Sequence, residues 1–231
     1  LPEEQRRTLC VSTQVGCVMG CAFCATASVP CRRDLTAAEI VDQVNTVQEH
    51  DGTITNVVYM GMGEPFENYA AVLKSIRILN HPAGKNIGIR HITISTCGIV
   101  PGIDRLADED IHPRLAISLS APTDALRSRI MPINRKYPLA KLLEAVRAYQ
   151  ARTGQRVTFE YVMIDKLNDT VNHARLLVKL LRGLMVNVNL IEHNPFPGCQ
   201  FFGSRRDRIQ RFASVLKEAG IRVATGASGK V

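Results

Sequence analysis

Six runs rich in β-branched and apolar residues alternate with six segments of helical periodicity, and this alternation constrains the fold more than any other feature of the chain. The runs lie at Thr8–Thr13, Ile54–Met60, His91–Thr96, Arg114–Leu119, Val157–Ile164 and Met185–Ile191. Between and after them fall Thr36–His50, Asn68–Asn80, Pro101–Ala107, Pro138–Arg152, Val171–Leu181 and Ser204–Ala219. Successive runs start about 20 to 45 residues apart, the length of one strand–helix unit. A helix inserted between two strands carries the chain back to a parallel neighbour, so an α/β fold around a parallel sheet is expected. Thr36-Ala-Ala-Glu39 reads as a capping box, and Gly220 as the stop after the last helix. A closed eight-stranded barrel takes about 250 residues. Six units in 231 residues, with no linker between them, predict an open, partial (β/α)6 barrel forming one domain over 1–231.

Composition narrows the function classes. Apolar residues make up 45% and charged residues 22%, ordinary globular usage, so wholesale disorder is excluded. No apolar run approaches a membrane span; Leu176–Val186, the greasiest stretch, is interrupted by Lys179 and Arg182. Glu3, Glu4, Arg6 and Arg7 are incompatible with a secretory signal, and Leu1 in place of Met points to a piece of a longer protein. Twenty-nine basic against twenty-one acidic residues give +8, which favours a polyanionic partner. Between Ala125 and Arg156 there are eight Lys/Arg and one Glu; Arg205, Arg206, Arg208 and Arg211 surround Asp207. With no Trp and 5% aromatics, phosphate contacts would dominate over base stacking. Seven cysteines, an odd number without an export signal, argue for reduced thiols and a cytoplasmic protein, which is expected to be a monomer.

Five of those cysteines, Cys10, Cys17, Cys21, Cys24 and Cys31, fall within 22 residues. Clustered thiols in such a chain point to metal. In strand–helix folds the chemistry gathers where strands end. There this sequence places Gly16-Cys17, Gly61-Met62-Gly63-Glu64-Pro65, Ser95-Thr96-Cys97-Gly98, Ser118-Leu119-Ser120 and His193-Asn194-Pro195. Cys17-x3-Cys21-x2-Cys24 admits three readings. A structural zinc would need a fourth ligand, for which Cys31 or His50 is available. A ferredoxin-type cluster wants four thiolates, usually in tighter spacing. Three thiolates also suit a [4Fe–4S] cluster with one iron left open for a ligand.

Cys17-x3-Cys21-x-Phe23-Cys24 resembles the signature of radical S-adenosylmethionine (SAM) enzymes. Further segments narrow the resemblance: Thr8–Cys17, Met60–Pro65, Ile94–Gly98, Leu115–Pro122, Arg129–Asn134, Thr158–Tyr161 and Asn189–Gly198. In order along essentially the whole chain, they are similar to the radical-SAM dual-specificity RNA methyltransferases, the RlmN/Cfr family. The resemblance implies that Cys17, Cys21 and Cys24 hold three irons while SAM chelates the fourth. Gly63 and Glu64 would meet its methionyl part, with Ser95, Ser118, Leu119, Ser120 and Asn194 hydrogen-bonding it from neighbouring strand ends. Family members usually carry His where this chain has Ser120, whose hydroxyl reaches less far.

The reaction implied begins with reductive cleavage of SAM, for which an electron donor such as flavodoxin or ferredoxin is expected. A methyl group on a protein cysteine becomes a methylene radical and adds to an amidine carbon of adenosine, C2 by default and C8 in some members. The RNA is then released from a covalent adduct with the help of a second cysteine, which Cys10 matches. The implied substrates are large-subunit rRNA and tRNA. The family's methyl-carrying cysteine lies in an Ala-Cys-Gly-Gln-Leu segment expected beyond Val231. Its candidate base precedes Pro2, and its N-terminal RNA-binding domain also lies outside this sequence. Cys31, Cys97 and Cys199 have no assigned role. Two other classes share part of the pattern. Another radical-SAM enzyme, an activase or small-molecule mutase, has the cluster without need of Cys10 or the basic faces. A non-enzymatic iron–sulfur or zinc module that binds nucleic acid has metal without SAM.

Overall fold

The computed structural model describes residues 6–226; the expectations for residues 1–5 and 227–231 lie outside it. Strand β1 (Thr8–Cys10) leads into a long loop holding a two-stranded antiparallel ribbon, β2 (Gln14–Val15) and β3 (Arg33–Asp34). There follow α1 (Ala37–Asp51), β4 (Asn56–Tyr59), α2 (Tyr69–Asn80), β5 (Ile92–Thr96) and α3 (Val100–Ala107). The second half comprises β6 (Arg114–Ser118), α4 (Asp124–Ile130), α5 (Leu139–Thr153), β7 (Val157–Met163), α6 (Val171–Leu180), β8 (Val186–Glu192), α7 (Arg206–Glu218) and β9 (Arg222–Gly226). Seven strands form one sheet in the order β1-β4-β5-β6-β7-β8-β9, every neighbouring pair parallel. The sheet curls into a partial barrel, as expected, and β9 adds a seventh strand to the six units. Among the described residues no helix is long and apolar enough to cross a membrane.

Alternation along the strands sorts the two faces. In β7, Val157, Phe159, Tyr161 and Met163 are fully enclosed and pack with the helices in one core cluster. Thr158 and Glu160, pointing the other way, line a concave cavity of about 690 Å³ together with Thr8, Thr93, Asn187 and Asn189. The strands are thus apolar toward the helices, while toward the barrel interior they mix polar side chains with small or apolar ones such as Val58 and Ala116. Local signals hold at the helix ends. Thr36 Oγ1 accepts from Glu39 N at 3.2 Å and Glu39 Oε2 from Thr36 N at 2.8 Å, completing the capping box. Gly220 follows α7 with φ +79°, a conformation glycine adopts without strain.

Two elements depart from the sequence reading. The run Thr8–Thr13 pairs as sheet only through Cys10; Val11 N still reaches Val58 O at 2.9 Å before the chain turns into the cysteine loop. Helix α4 occupies a stretch to which the sequence periodicity assigns no element, capped by Thr123, whose hydroxyl accepts from Leu126 N.

Candidate functional site at the strand ends

The cysteine loop is stitched to the loop after β4. Met62 O accepts from Thr13 N and Gln14 N at 2.8 and 3.2 Å, Ser12 Oγ accepts from Met62 N at 3.0 Å, and Gln14 Oε1 accepts from Glu64 N at 2.9 Å. Gln14 Nε2 donates onward to Asp34 at 2.7 Å, so β3 joins the same network. This close approach requires glycine. Gly63 has φ +104°, and a Cβ there would lie 2.7 Å from Thr13 Oγ1 and Gln14 Cβ. Gly63→Ala is expected to cost about 1–3 kcal/mol from backbone strain, with the clash in addition. Urea unfolding of the metal-free protein measures it; an unchanged midpoint would show that the loops are not locked together.

Cys17, Cys21 and Cys24 are all partly exposed, and their charges act on one another. Burial pushes the Cys21 thiol up to about 12, with Cys24, Cys17 and Glu64 adding to the rise. Burial also raises Cys17, where Glu64, Cys24 and Cys31 oppose the thiolate. A metal centre must therefore displace protons that this site holds firmly. Three soft thiol donors whose charges act on one another suit a metal–sulfur centre, and a [4Fe–4S] cluster would take each thiolate on a different iron. His50 sits in the last turn of α1 with Nδ1 on Thr46 O.

Glu64 is no surface carboxylate. It is 3% exposed; Oε2 accepts from Cys97 N at 2.8 Å and Oε1 from Phe66 N at 3.1 Å. It ties the β4 loop to the β5 loop, and burial raises its pKa against the pull of those N–H groups. Ser95 is nearly buried and donates to Glu160 Oε2 on the concave face at 2.8 Å. Burial raises the Glu160 carboxyl, and this bond from Ser95 works against the rise.

The segment Ser118–Ser120 divides. Ser118 is partly exposed, but Leu119 and Ser120 are completely enclosed. Leu119 N and Ser120 N both donate to Glu160 O, at 2.9 and 3.4 Å. Ser120 adopts φ +52°, its hydroxyl accepting from Val162 N and its carbonyl from Asn168 Nδ2. Continued bonding to β7 thus turns the Leu119 and Ser120 side chains inward, against the expectation that they meet a ligand, and leaves Ser118 at the mouth. Asn194 is exposed just past β8. Cys10 ends β1 opposite Val58 and is exposed. Cys97 is buried beside Glu64, and Cys199 lies 3.3 Å from His193 Nε2.

Thr13 and Gln14 lie in the Thr8–Cys17 segment that carries the resemblance but have no role assigned by it, and Arg127 carries no sequence signal of a role in the site. Arg127 is fully buried and donates to the carbonyls of Cys97, Ser118 and Leu119 and to Asn134 Oδ1. In the sequence it is only one member of Ala125–Arg156, a stretch that reads as a solvated basic face.

Comparison with known proteins agrees with this arrangement. The family described as the Radical SAM superfamily matches residues 11–177. A probable dual-specificity RNA methyltransferase RlmN of Dictyoglomus thermophilum is 51% identical over 227 residues, covering 96% of this chain and 65% of the relative. A protein of the same description from Thermus thermophilus is 49% identical, with 96% and 63% covered. The chain thus spans just under two thirds of the length of these curated relatives. A crystal structure of a radical SAM methyltransferase from Sphaerobacter thermophilus superposes with TM-score 0.94 at 49% identity, covering all of this chain and 68% of that one. Streptococcus suis SuiB bound to S-adenosylmethionine, 13% identical, shares the fold with TM-score 0.70 over 97% of this chain and 51% of that one. The superfamily's cofactors are a [4Fe–4S] cluster and SAM, the pair that the three thiols suit. A matching family over most of the length, and half-identity to a radical SAM methyltransferase over all of this chain, lead to one conclusion: the chain belongs to the radical SAM superfamily, among its methyltransferases.

Proposed function

We propose that this chain is the radical-SAM core of an RNA methyltransferase that methylates C2 of adenosine in large-subunit rRNA and in tRNA. The observation that carries the reading is identity of about half, over 96% of the chain, to proteins named as dual-specificity RNA methyltransferases. In this reading residues 1–231 are one catalytic domain, the protein works as a cytoplasmic monomer, and a flavodoxin- or ferredoxin-class protein supplies electrons.

Cys17, Cys21 and Cys24 would hold the cluster, which with SAM supplies one-electron cleavage and the carbon-centred radical chemistry that an unreactive ring carbon requires. The other residues position and protect. The Gly63 backbone, the Ser118 hydroxyl and Asn194 present polar groups toward the SAM side. Glu64 holds the Gly63 turn against the β5 loop, and its carboxylate would be the partner of an ammonium group there. Ser95, already donating to Glu160, keeps its own acceptor capacity for a ligand donor. Cys10 would give up its thiol proton to become the nucleophile that resolves the RNA adduct.

The test is anaerobic incubation of the whole protein with SAM, reductant and an rRNA fragment, followed by nucleoside mass spectrometry. 2-Methyladenosine is expected. Methylation at a ring or exocyclic nitrogen would overturn the reading, and 8-methyladenosine would move it to the other carbon.

A further inference from the structure

Arg127 is the largest side chain that the fold encloses completely. Nε donates to Leu119 O at 3.2 Å, Nη1 to Asn134 Oδ1 at 3.0 Å, and Nη2 to Cys97 O at 2.7 Å and Ser118 O at 3.1 Å. Every one of these acceptors is neutral. Among the described residues no carboxylate pairs with this guanidinium; the ion pairs present all involve other arginines. Asp124 is one step removed, bonded to Asn134 Nδ2 at 2.9 Å, and is exposed, so water screens it. A buried cation without a counter-ion is costly, and carbonyl dipoles offset only part of that cost. Such a residue calls for an anion that binds.

The position of Arg127 shows which anion. The Cys97 whose carbonyl it holds is the residue whose N–H meets Glu64 in the loop stitched to the cysteine loop. Ala22, next to Cys21, donates its N–H to Ile130 O at 2.8 Å, docking the cysteine loop on the helix that carries Arg127. A [4Fe–4S] core of charge +2 bound by three thiolates is net negative, and reduction adds one more electron. We infer that Arg127 is a positioning residue that supplies the built-in counter-charge of the cluster site and raises the cluster's reduction potential. The inference rests on the radical-SAM reading and adds a role for a residue that touches neither the irons nor, through any free N–H pair, the solvent. A fixed positive charge stabilises the reduced, more negative state most, so removing it makes reduction harder.

Wild type, Arg127→Gln and Arg127→Lys are reconstituted anaerobically, assayed for iron, and titrated with redox mediators while EPR follows the reduced cluster. Arg127→Gln is expected to keep its iron and shift to a more negative midpoint, whereas Arg127→Lys, which keeps the charge, stays at the wild-type value. A merely structural role would change stability or iron content without moving the midpoint of the loaded protein. An iron-loaded Gln variant at the wild-type midpoint overturns the inference, as does a Lys variant displaced as far as Gln. Should Arg127→Gln hold no cluster, Arg127→Met takes its place as the charge-free variant: a more negative midpoint than wild type and Arg127→Lys supports the inference, and an unchanged one overturns it. Failure of the radical-SAM reading itself looks different, since then wild type takes up no iron.

Discussion

Reconstituted anaerobically with iron and sulfide, the protein is expected to bind about four irons and four sulfides per chain, and Cys21→Ala to lose essentially all of them. The expectation of near-complete loss follows from the donor count. Three thiolates on three irons are the fewest that hold the cluster while leaving the fourth iron open. The Cys21 thiol is pushed up to about 12 chiefly by burial. Binding must therefore release protons, and cluster uptake should weaken as pH falls. Cys31 gives the control. Its charge acts on Cys17, but it stands outside the three-residue motif, so Cys31→Ala should retain the iron. Iron assay and the visible absorption that dithionite bleaches read both variants. Stoichiometric zinc without iron would return the site to a structural metal, with Cys31 as its fourth ligand.

What sequence reveals here is what sequence encodes locally. Cys17, Cys21 and Cys24 are legible because their spacing is itself the signal, and Thr36–Glu39 because a capping box is closed within four residues. The strands are legible wherever β-branched residues run together. Strand β9 is not, because Arg222–Gly226 is short and mostly exposed, and takes its identity from pairing with β8 rather than from its own residues. Helix α4 escapes notice although Thr123 offers a capping signal, because seven residues carry too little periodicity. The site's supporting bonds are illegible for a different reason. Glu64 with Cys97, Ser95 with Glu160, and Gln14 with Glu64 join residues 33, 65 and 50 positions apart. No local pattern announces them. Arg127 misleads outright: in a basic stretch an arginine reads as a surface cation, and only its bonds to the ends of β5 and β6 and to Asn134 show otherwise. A further readable signal is the period-two polar face Thr158, Glu160, Asn187 and Asn189 that forms the barrel interior, which the β-branched runs alone do not bring out.

In the whole protein turning over on RNA, Cys10→Ala is expected to stop product release and leave a covalent protein–RNA adduct. Cys10 lies two residues after Thr8, which lines the concave cavity, so the two side chains share a face of β1. The residue is exposed on that open face, yet its thiol titrates above an ordinary cysteine. Partial burial against the barrel wall is the main cause, and the Glu160 carboxylate adds to it, against a hydrogen bond from Met60 that lowers it. Since the thiolate is the nucleophile, resolution should be slow at neutral pH and quicken about tenfold per pH unit below the thiol's acid constant. The sign then fixes a second variant. Glu160→Gln removes the opposing charge while Ser95 keeps an acceptor, so the thiol titrates lower and the rising limb of the profile moves toward acid. A denaturing gel of labelled RNA detects the adduct, and single-turnover release across pH detects the limb. Free RNA product from Cys10→Ala at the wild-type rate would remove Cys10 from the chemistry. An adduct that forms but resolves with the same pH limb in Glu160→Gln would keep Cys10 and show that the thiol is raised by burial alone.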